Sequence, residues 1–340
     1  MAVHSGAPAN TMRLQFERWL AARQAGAAVA DAVTAARGRP GRNLLIDAGW
    51  GGEPRQLAVR LAQTTGVEDV RYQFLTLQRL RTQLHRPAVP GVLWWESSDE
   101  PLGAPFFVMN RVEGRTPDED VLPYTVGSWI TDAPTAARVQ MQRATVEQVA
   151  RVHASTPAEF SFLDRRRPSE TPLAAHVRQT LQHYRAAQQP VPLIERGFEW
   201  LRRHWPDESP PVLCWGDARI GNVVYRDFTP VALLDWERAT LAPRELDLGS
   251  LIFVHRHLDE RARAAGFPGL PDMLRPADVA AAYTAATGYR PVHLDFYVTY
   301  AAIQHAVLAV GKHLLTDPSR APTDATIPHR ETLAAVLDGS

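Results

Sequence analysis

The sequence predicts an α+β chain of two lobes, a small β-rich N-terminal lobe and a larger, mainly helical C-terminal lobe. Three observations lead there. At 340 residues the chain is long enough for two separate cores. Short apolar runs bounded by Gly and Pro crowd the segment before residue 112. Beyond it, apolar residues recur at helical spacing, interrupted by one compact strand pair at 223–234. The expected boundaries are an N-terminal helical segment at 1–36, an N-lobe at 37–112 and a C-lobe at 113–340.

Residues 12–36 read as helix: Leu14, Phe16, Trp19 and Leu20, then an alanine-rich stretch. Residues 37–42, RGRPGR, form a turn cluster. Residues 43–50 and 56–61 read as a hairpin turning at 51–54, and 70–83 as a helix. Residues 87–95 are extended, and 102–109 form a buried strand that runs into Asn110-Arg-Val-Glu-Gly114. Val139, Ala144, Val146, Val149 and Val152 recur at helical spacing and predict the central C-lobe helix over 136–155. His153 near its end reads as a packed, hydrogen-bonded side chain. Two helices follow in 171–205 around the Pro190–Pro192 break, and others over 276–286 and 293–315. No internal repeat is found.

Composition narrows the function classes. Apolar content of 45% and charged content of 22% fit a globular chain. The net charge of zero gives no global attraction to nucleic acid or anionic membrane. The longest uncharged run, 296–311, is shorter than the ~20 residues of a membrane span. The N-terminus lacks an apolar signal core. The single cysteine, Cys214, excludes an internal disulfide and fits a reducing compartment, so a cytoplasmic location is expected. Lys312 is the single lysine among 37 basic residues. That excludes a Walker P-loop, which needs Gly-Lys after a glycine-rich turn.

The chemistry concentrates in residues 213–237, LCWGDARIGNVVYRDFTPVALLDWE. Asp217 is followed five residues later by Asn222. Two short strands joined by a turn then end on Asp235. A hairpin of this kind carries one carboxylate, one carboxamide and a second carboxylate to one end of a small sheet. Each piece alone is an ordinary turn or strand end; the combined order is specific. Phosphoryl transfer from a nucleotide needs such a set: one acid to orient the attacking hydroxyl, and oxygen ligands to hold Mg²⁺ on the phosphates.

On these motifs the chain resembles the aminoglycoside phosphotransferase and choline kinase superfamily, whose bilobal fold is protein-kinase-like. The WGDxRxGN pattern is similar to a subgroup of actinobacterial phosphotransferases and kinase-like domains fused to acyl-CoA dehydrogenases. The resemblance implies that Asp217 is catalytic and that Asn222 and Asp235 bind the metal. Trp215 stands where the wider superfamily has a structural His, and Asp247 matches a family Asp that braces the catalytic loop. The loop with Gly38, Gly41 and Asn43 is expected to cover the phosphates, and Arg60 to take the place of the phosphate-pairing lysine. Gln73 stands nearest the position of the usual acidic partner; the nearest acids, Glu68 and Asp69, come earlier. The backbone of Asn110 and Val112 is expected to bind the base of ATP or GTP.

The implied function is an ATP-dependent phosphotransferase acting on the hydroxyl of a small molecule, with no nucleic-acid or membrane partner. Acceptor classes from the resemblance include an aminoglycoside or other antibiotic, which implies antibiotic resistance, and a hydroxyacyl metabolite. Segment 161–206, expected to wall the acceptor pocket, holds eight Arg against four acids, which argues against a polycationic acceptor. The alternatives are a nucleotide-binding pseudokinase and, further off, a metal-dependent hydrolase using Asp217, Asp235, His255 and His257. The acceptor's identity and the oligomeric state stay open.

Overall fold

The computed structural model describes residues 9–34, 43–62, 67–117 and 123–339. Among these, five strands form an antiparallel sheet in the order β1-β2-β3-β5-β4. They are β1 (Ala28–Thr34), β2 (Asn43–Trp50), β3 (Glu53–Leu61), β4 (Val92–Glu96) and β5 (Phe106–Asn110). The hairpin β2–β3 turns on Gly51 and Gly52 alone, with Trp50 opposite Glu53. Both glycines have positive φ, 63° and 82°, the conformation a two-residue turn of matching twist requires.

Alternation along the strands divides the sheet into two faces. Leu44, Ile46, Leu57, Val59, Phe106 and Val108 point one way and are buried against α1 (Ala9–Ala21), which contributes Phe16, Trp19 and Leu20. The opposite face carries Asn43, Leu45, Ala58, Arg60, Phe107 and Met109 and looks into the interlobe cleft. Helix α2 (Val67–Leu80) packs through Leu77 and Leu80 into the second core, that of the C-lobe.

The described part of the alanine-rich half of 12–36, residues 22–34, is not helical, which corrects the sequence expectation. Helix α1 ends at Ala21, the chain turns at Gly26 (φ 72°), and 28–34 becomes the edge strand β1. Ladder hydrogen bonds to β2 override alanine's helical preference.

The C-lobe is built from α3 (Thr135–His153), α4 (Pro172–Ala186), α5 (Pro192–Arg203), α6 (Glu245–Ala264), α7 (Pro276–Thr287), α8 (Leu294–Thr316) and α9 (Arg330–Asp338). Helix α8 lies along α6, and its buried face includes Phe296, Tyr300, Ile303 and Ala306. Two small ribbons sit at the lobe interface: β6 (Val212–Cys214) with β9 (Thr240–Ala242), and β7 (Val223–Arg226) with β8 (Thr229–Leu233). The Leu233 N–H donates to the Ala88 carbonyl across the lobes at 2.7 Å, and Arg115, just past the boundary, pairs with Tyr225 in both directions at 2.9 Å. No helix among the described residues is long and apolar enough to cross a membrane.

Candidate active site

The buried strand β6 delivers the chain into the turn at 215–219. Gly216 has φ 85°, and a Cβ there would overlap the carbonyl oxygen of Arg238. Asp247, in the first turn of α6 and fully buried, accepts from the N–H groups of Trp215 (2.6 Å) and Gly216 (2.8 Å). It also accepts from Nε2 of His153 at 3.0 Å, whose Nδ1 faces the hydroxyl of Tyr283 at 2.8 Å. Three donors thus compensate one buried carboxylate and fix the loop's shape. The indole N–H of Trp215 donates to the Leu234 carbonyl at 2.8 Å, tying the loop to the segment before Asp235.

Asp217 is 9% exposed. Burial pushes its pKa up, but the guanidinium groups of Arg219 and Arg238 and a hydrogen bond from Asn222 hold it below the usual carboxylate value. Arg219 lies 3.3 Å from its Oδ2. Nδ2 of Asn222 donates to that oxygen at 2.9 Å and to the Asp217 carbonyl at 3.1 Å.

The β7–β8 ribbon pairs Val223 with Leu233, and the Leu234 N–H donates to the Asn222 carbonyl at 2.8 Å. Asn222 and Asp235 are therefore neighbours across the ribbon's end. Asp235 sits in the left-handed region, φ 59° and ψ 65°, which costs a non-glycine residue energy and which Asp tolerates better than most. Its carboxyl is pushed up to about 6, first by desolvation and then by Glu237, with Arg60 pulling the other way.

Arg60 reaches this group from the N-lobe sheet. Its guanidinium donates to Asn43 Oδ1 (3.2 Å), Asp235 Oδ1 (3.4 Å) and Glu237 Oε2 (3.0 Å). Among the described residues the acidic partners of Arg60 come from the C-lobe, and on α2 it is Gln73 that is buried at the cleft. The sequence reading sought that partner on α2 and passed over Glu237, although it lies only two residues beyond Asp235. It passed over Arg219 and Arg238 as well.

Asn43, Arg60, Asn110, Val112, Asn222 and Asp235 all line one cleft of about 1230 Å³ between the lobes. Asp217 joins it through Asn222 and Arg219. Gly38 and Gly41 lie outside the described residues. The expected acceptor wall needs correction: from 161–206 only Thr180 and His183 line the cleft. The arginines of that segment lie on the surface, in pairs such as Arg166–Asp164, Arg178–Glu170 and Arg202–Glu199. The C-terminal half of α8 lines the cleft more extensively, from Gln304 to Thr316. The histidine pair does not form a metal site either. Both ring nitrogens of His255 are taken, by the Tyr124 hydroxyl at 2.8 Å and the Leu270 carbonyl at 3.0 Å.

The profile of the phosphotransferase enzyme family matches residues 42–279. Human acyl-CoA dehydrogenase family member 11 is 27% identical over 163 residues, 47% of this chain and 20% of that protein. The chain spans about a fifth of the length of the curated relatives it matches. A structure from Ralstonia eutropha, provisionally an aminoglycoside phosphotransferase, superposes with a TM-score of 0.67 at 18% identity, covering 95% of this chain and 96% of that one. The GDP complex of aminoglycoside 2'-phosphotransferase-IIIa superposes with a TM-score of 0.61 at 14% identity, covering 96% and 99%. At these identities the likeness is one of fold, and that fold is the kinase-like one expected.

Proposed function

The chain belongs to the phosphotransferase enzyme family, and from that premise we propose that it moves the γ-phosphoryl group of ATP or GTP to the hydroxyl of a small molecule. Asp217 orients the hydroxyl and takes its proton. A bond forms between that oxygen and the γ-phosphorus, the bond from phosphorus to the β–γ bridging oxygen breaks, and the nucleoside diphosphate leaves. The ionised state of Asp217, kept by Arg219 and Arg238 despite burial, suits a proton acceptor.

The donor set fits Mg²⁺. The nitrogen of Asn222 is bonded to Asp217, which leaves its carboxamide oxygen for a cation. The carboxylate of Asp235 lies beside it, destabilised as an anion by burial and by Glu237, and a hard cation relieves that. Asn222 and Asp235 would hold the ion, which when bound neutralises charge on the phosphates. Arg60 adds a planar guanidinium suited to two phosphate oxygens. Asn43 and the loop at Gly38 and Gly41 cover the phosphates, and the backbone of Asn110 and Val112 takes the base. In this division α1 braces the sheet and β1 forms its edge, 37–112 holds the nucleotide and 113–340 carries the acceptor.

The observation that supports this reading most is the bonded set Asp217–Asn222 and Asp235–Arg60 on one cleft. The engagement of Arg60 by Asp235 and Glu237 favours a second reading, a pseudokinase whose cation occupies the metal position. A hydroxyl-compound library incubated with ATP and Mg²⁺ separates the two. Transfer yields a product heavier by roughly 80 Da, one phosphoryl group; nucleotide binding with no such product supports the pseudokinase.

A further inference from the structure

Resting on the transferase reading, we infer that the acceptor is an alcohol with an apolar body and an anionic group, held by Arg238 and Lys312. Helix α8 presents Gln304, Val307, Leu308, Gly311, Lys312 and Leu315 to the cleft. Their spacing of three and four places them on one helix face. That face is apolar and open: Leu308 is 41% exposed and Leu315 75%. Bare leucines at the rim of a cleft call for an apolar occupant.

Among the described residues that line the cleft, basic side chains outnumber acids. Among the described lining residues Asp235 is the one acid, and it faces Arg60. Arg219 is matched by Asp217. Arg238 also lines the cleft, half-buried, and among the described residues no hydrogen bond or ion pair engages its guanidinium. The same holds for the ammonium of Lys312, one turn beyond Leu308 on the wall. The charge of Arg238 acts on Asp217, and with no direct hydrogen bond among the described residues its guanidinium is able to bind a carboxylate or phosphate through two parallel hydrogen bonds. Several ammonium groups brought to the same place would lose water and meet two positive charges. The hydroxyl of such an acceptor is turned toward Asp217, to which its proton passes as the new oxygen–phosphorus bond forms.

The test uses two apolar bodies, one alkyl and one aryl. Each carries a hydroxyl at one end and a carboxylate, its methyl ester or an ammonium at the other. Calorimetry on the full chain, loaded with Mg²⁺ and a non-hydrolysable ATP analogue, reads binding without requiring turnover. On at least one body the acid should bind tenfold or more tighter than its ester and its amine. Arg238→Gln should bring the acid-to-ester ratio close to one, and Lys312→Gln should lower it about threefold, both with nucleotide affinity kept. Equal binding of acid and ester on both bodies overturns the inference. So does an Arg238→Gln variant that loses nucleotide affinity while the ratio stands, which would assign Arg238 to the phosphates. Acid selectivity with no phosphorylated product from ATP leaves the subsite standing and sinks the transferase reading; product with no acid selectivity does the reverse.

Discussion

In the proposed mechanism two side chains carry most of the chemistry, and each can be probed alone. Asp217→Asn keeps size and hydrogen bonding but removes the proton acceptor. Turnover should fall roughly 10² to 10⁴-fold, the span of general-base removal, with nucleotide affinity unchanged. Steady-state rates and a nucleotide titration check this, and a near-normal rate removes Asp217 from the mechanism. Arg60 is a different case, because its acidic partner Glu237 lies 177 residues away. The pair is partly exposed, so its loss is worth about 1 kcal/mol at most. Glu237→Gln should therefore raise the nucleotide KM up to about fivefold and leave kcat nearly alone. Adding Gln73→Glu, which places an acid at the cleft-lining position of α2, should recover part of that loss. Arg60→Lys should retain more activity than Arg60→Ala, since charge survives while the fork is lost. Equal activity of wild type and Arg60→Ala would move the phosphate charge elsewhere.

At the scale of elements, the turn at 215–219 is held from outside itself. Strand β6 and the β7–β8 ribbon bring Asp217, Asn222 and Asp235 to one place, but the turn's N–H groups are satisfied by Asp247 of α6. Asp247→Ala leaves the N–H groups of Trp215 and Gly216 without an acceptor, at about 1–3 kcal/mol each. Urea unfolding should show a loss of roughly 2–5 kcal/mol, with activity falling alongside. His153→Ala, which removes one donor to the same carboxylate, should cost less than Asp247→Ala. An Asp247→Ala protein as stable as wild type would mean that the brace is not needed.

Across the whole molecule, packed histidines, His329 buried and three others half-buried, should set the acid limit. Burial lowers the pKa of His176, His257 and His305 to about 3 and that of His329 to about 4, against 6.5 in the unfolded chain. Between those values the unfolded chain binds more protons, so stability rises with pH and is lost as pH falls below 6.5. Each histidine contributes up to about 1.4 kcal/mol per pH unit in that window. The melting midpoint should be level above neutral pH and drop steeply below 6.5, well before the carboxylates titrate. His329→Gln should flatten the slope. A midpoint unchanged down to about pH 5 would contradict the assignment.

The sequence by itself determined the lobes, the β2–β3 hairpin and the order Asp217, Asn222, Asp235. These depend on local signals: glycines that permit a two-residue turn, alternation along strands, and helical spacing of apolar residues. It also made Asp247 readable as a brace, through resemblance rather than pattern. The tertiary structure decided the rest. Residues 28–34 have the composition of a helix and became a strand because β2 offered an edge to pair with. Glu237 became the partner of Arg60 because sheet alternation turns Arg60 toward the cleft, where the end of the β7–β8 ribbon meets it. The cleft is lined by α8 rather than by the arginines of 161–206, none of which reaches it. In each case the deciding energy is a contact between segments far apart in the chain, and local periodicity carries no information about which distant surface a side chain will meet.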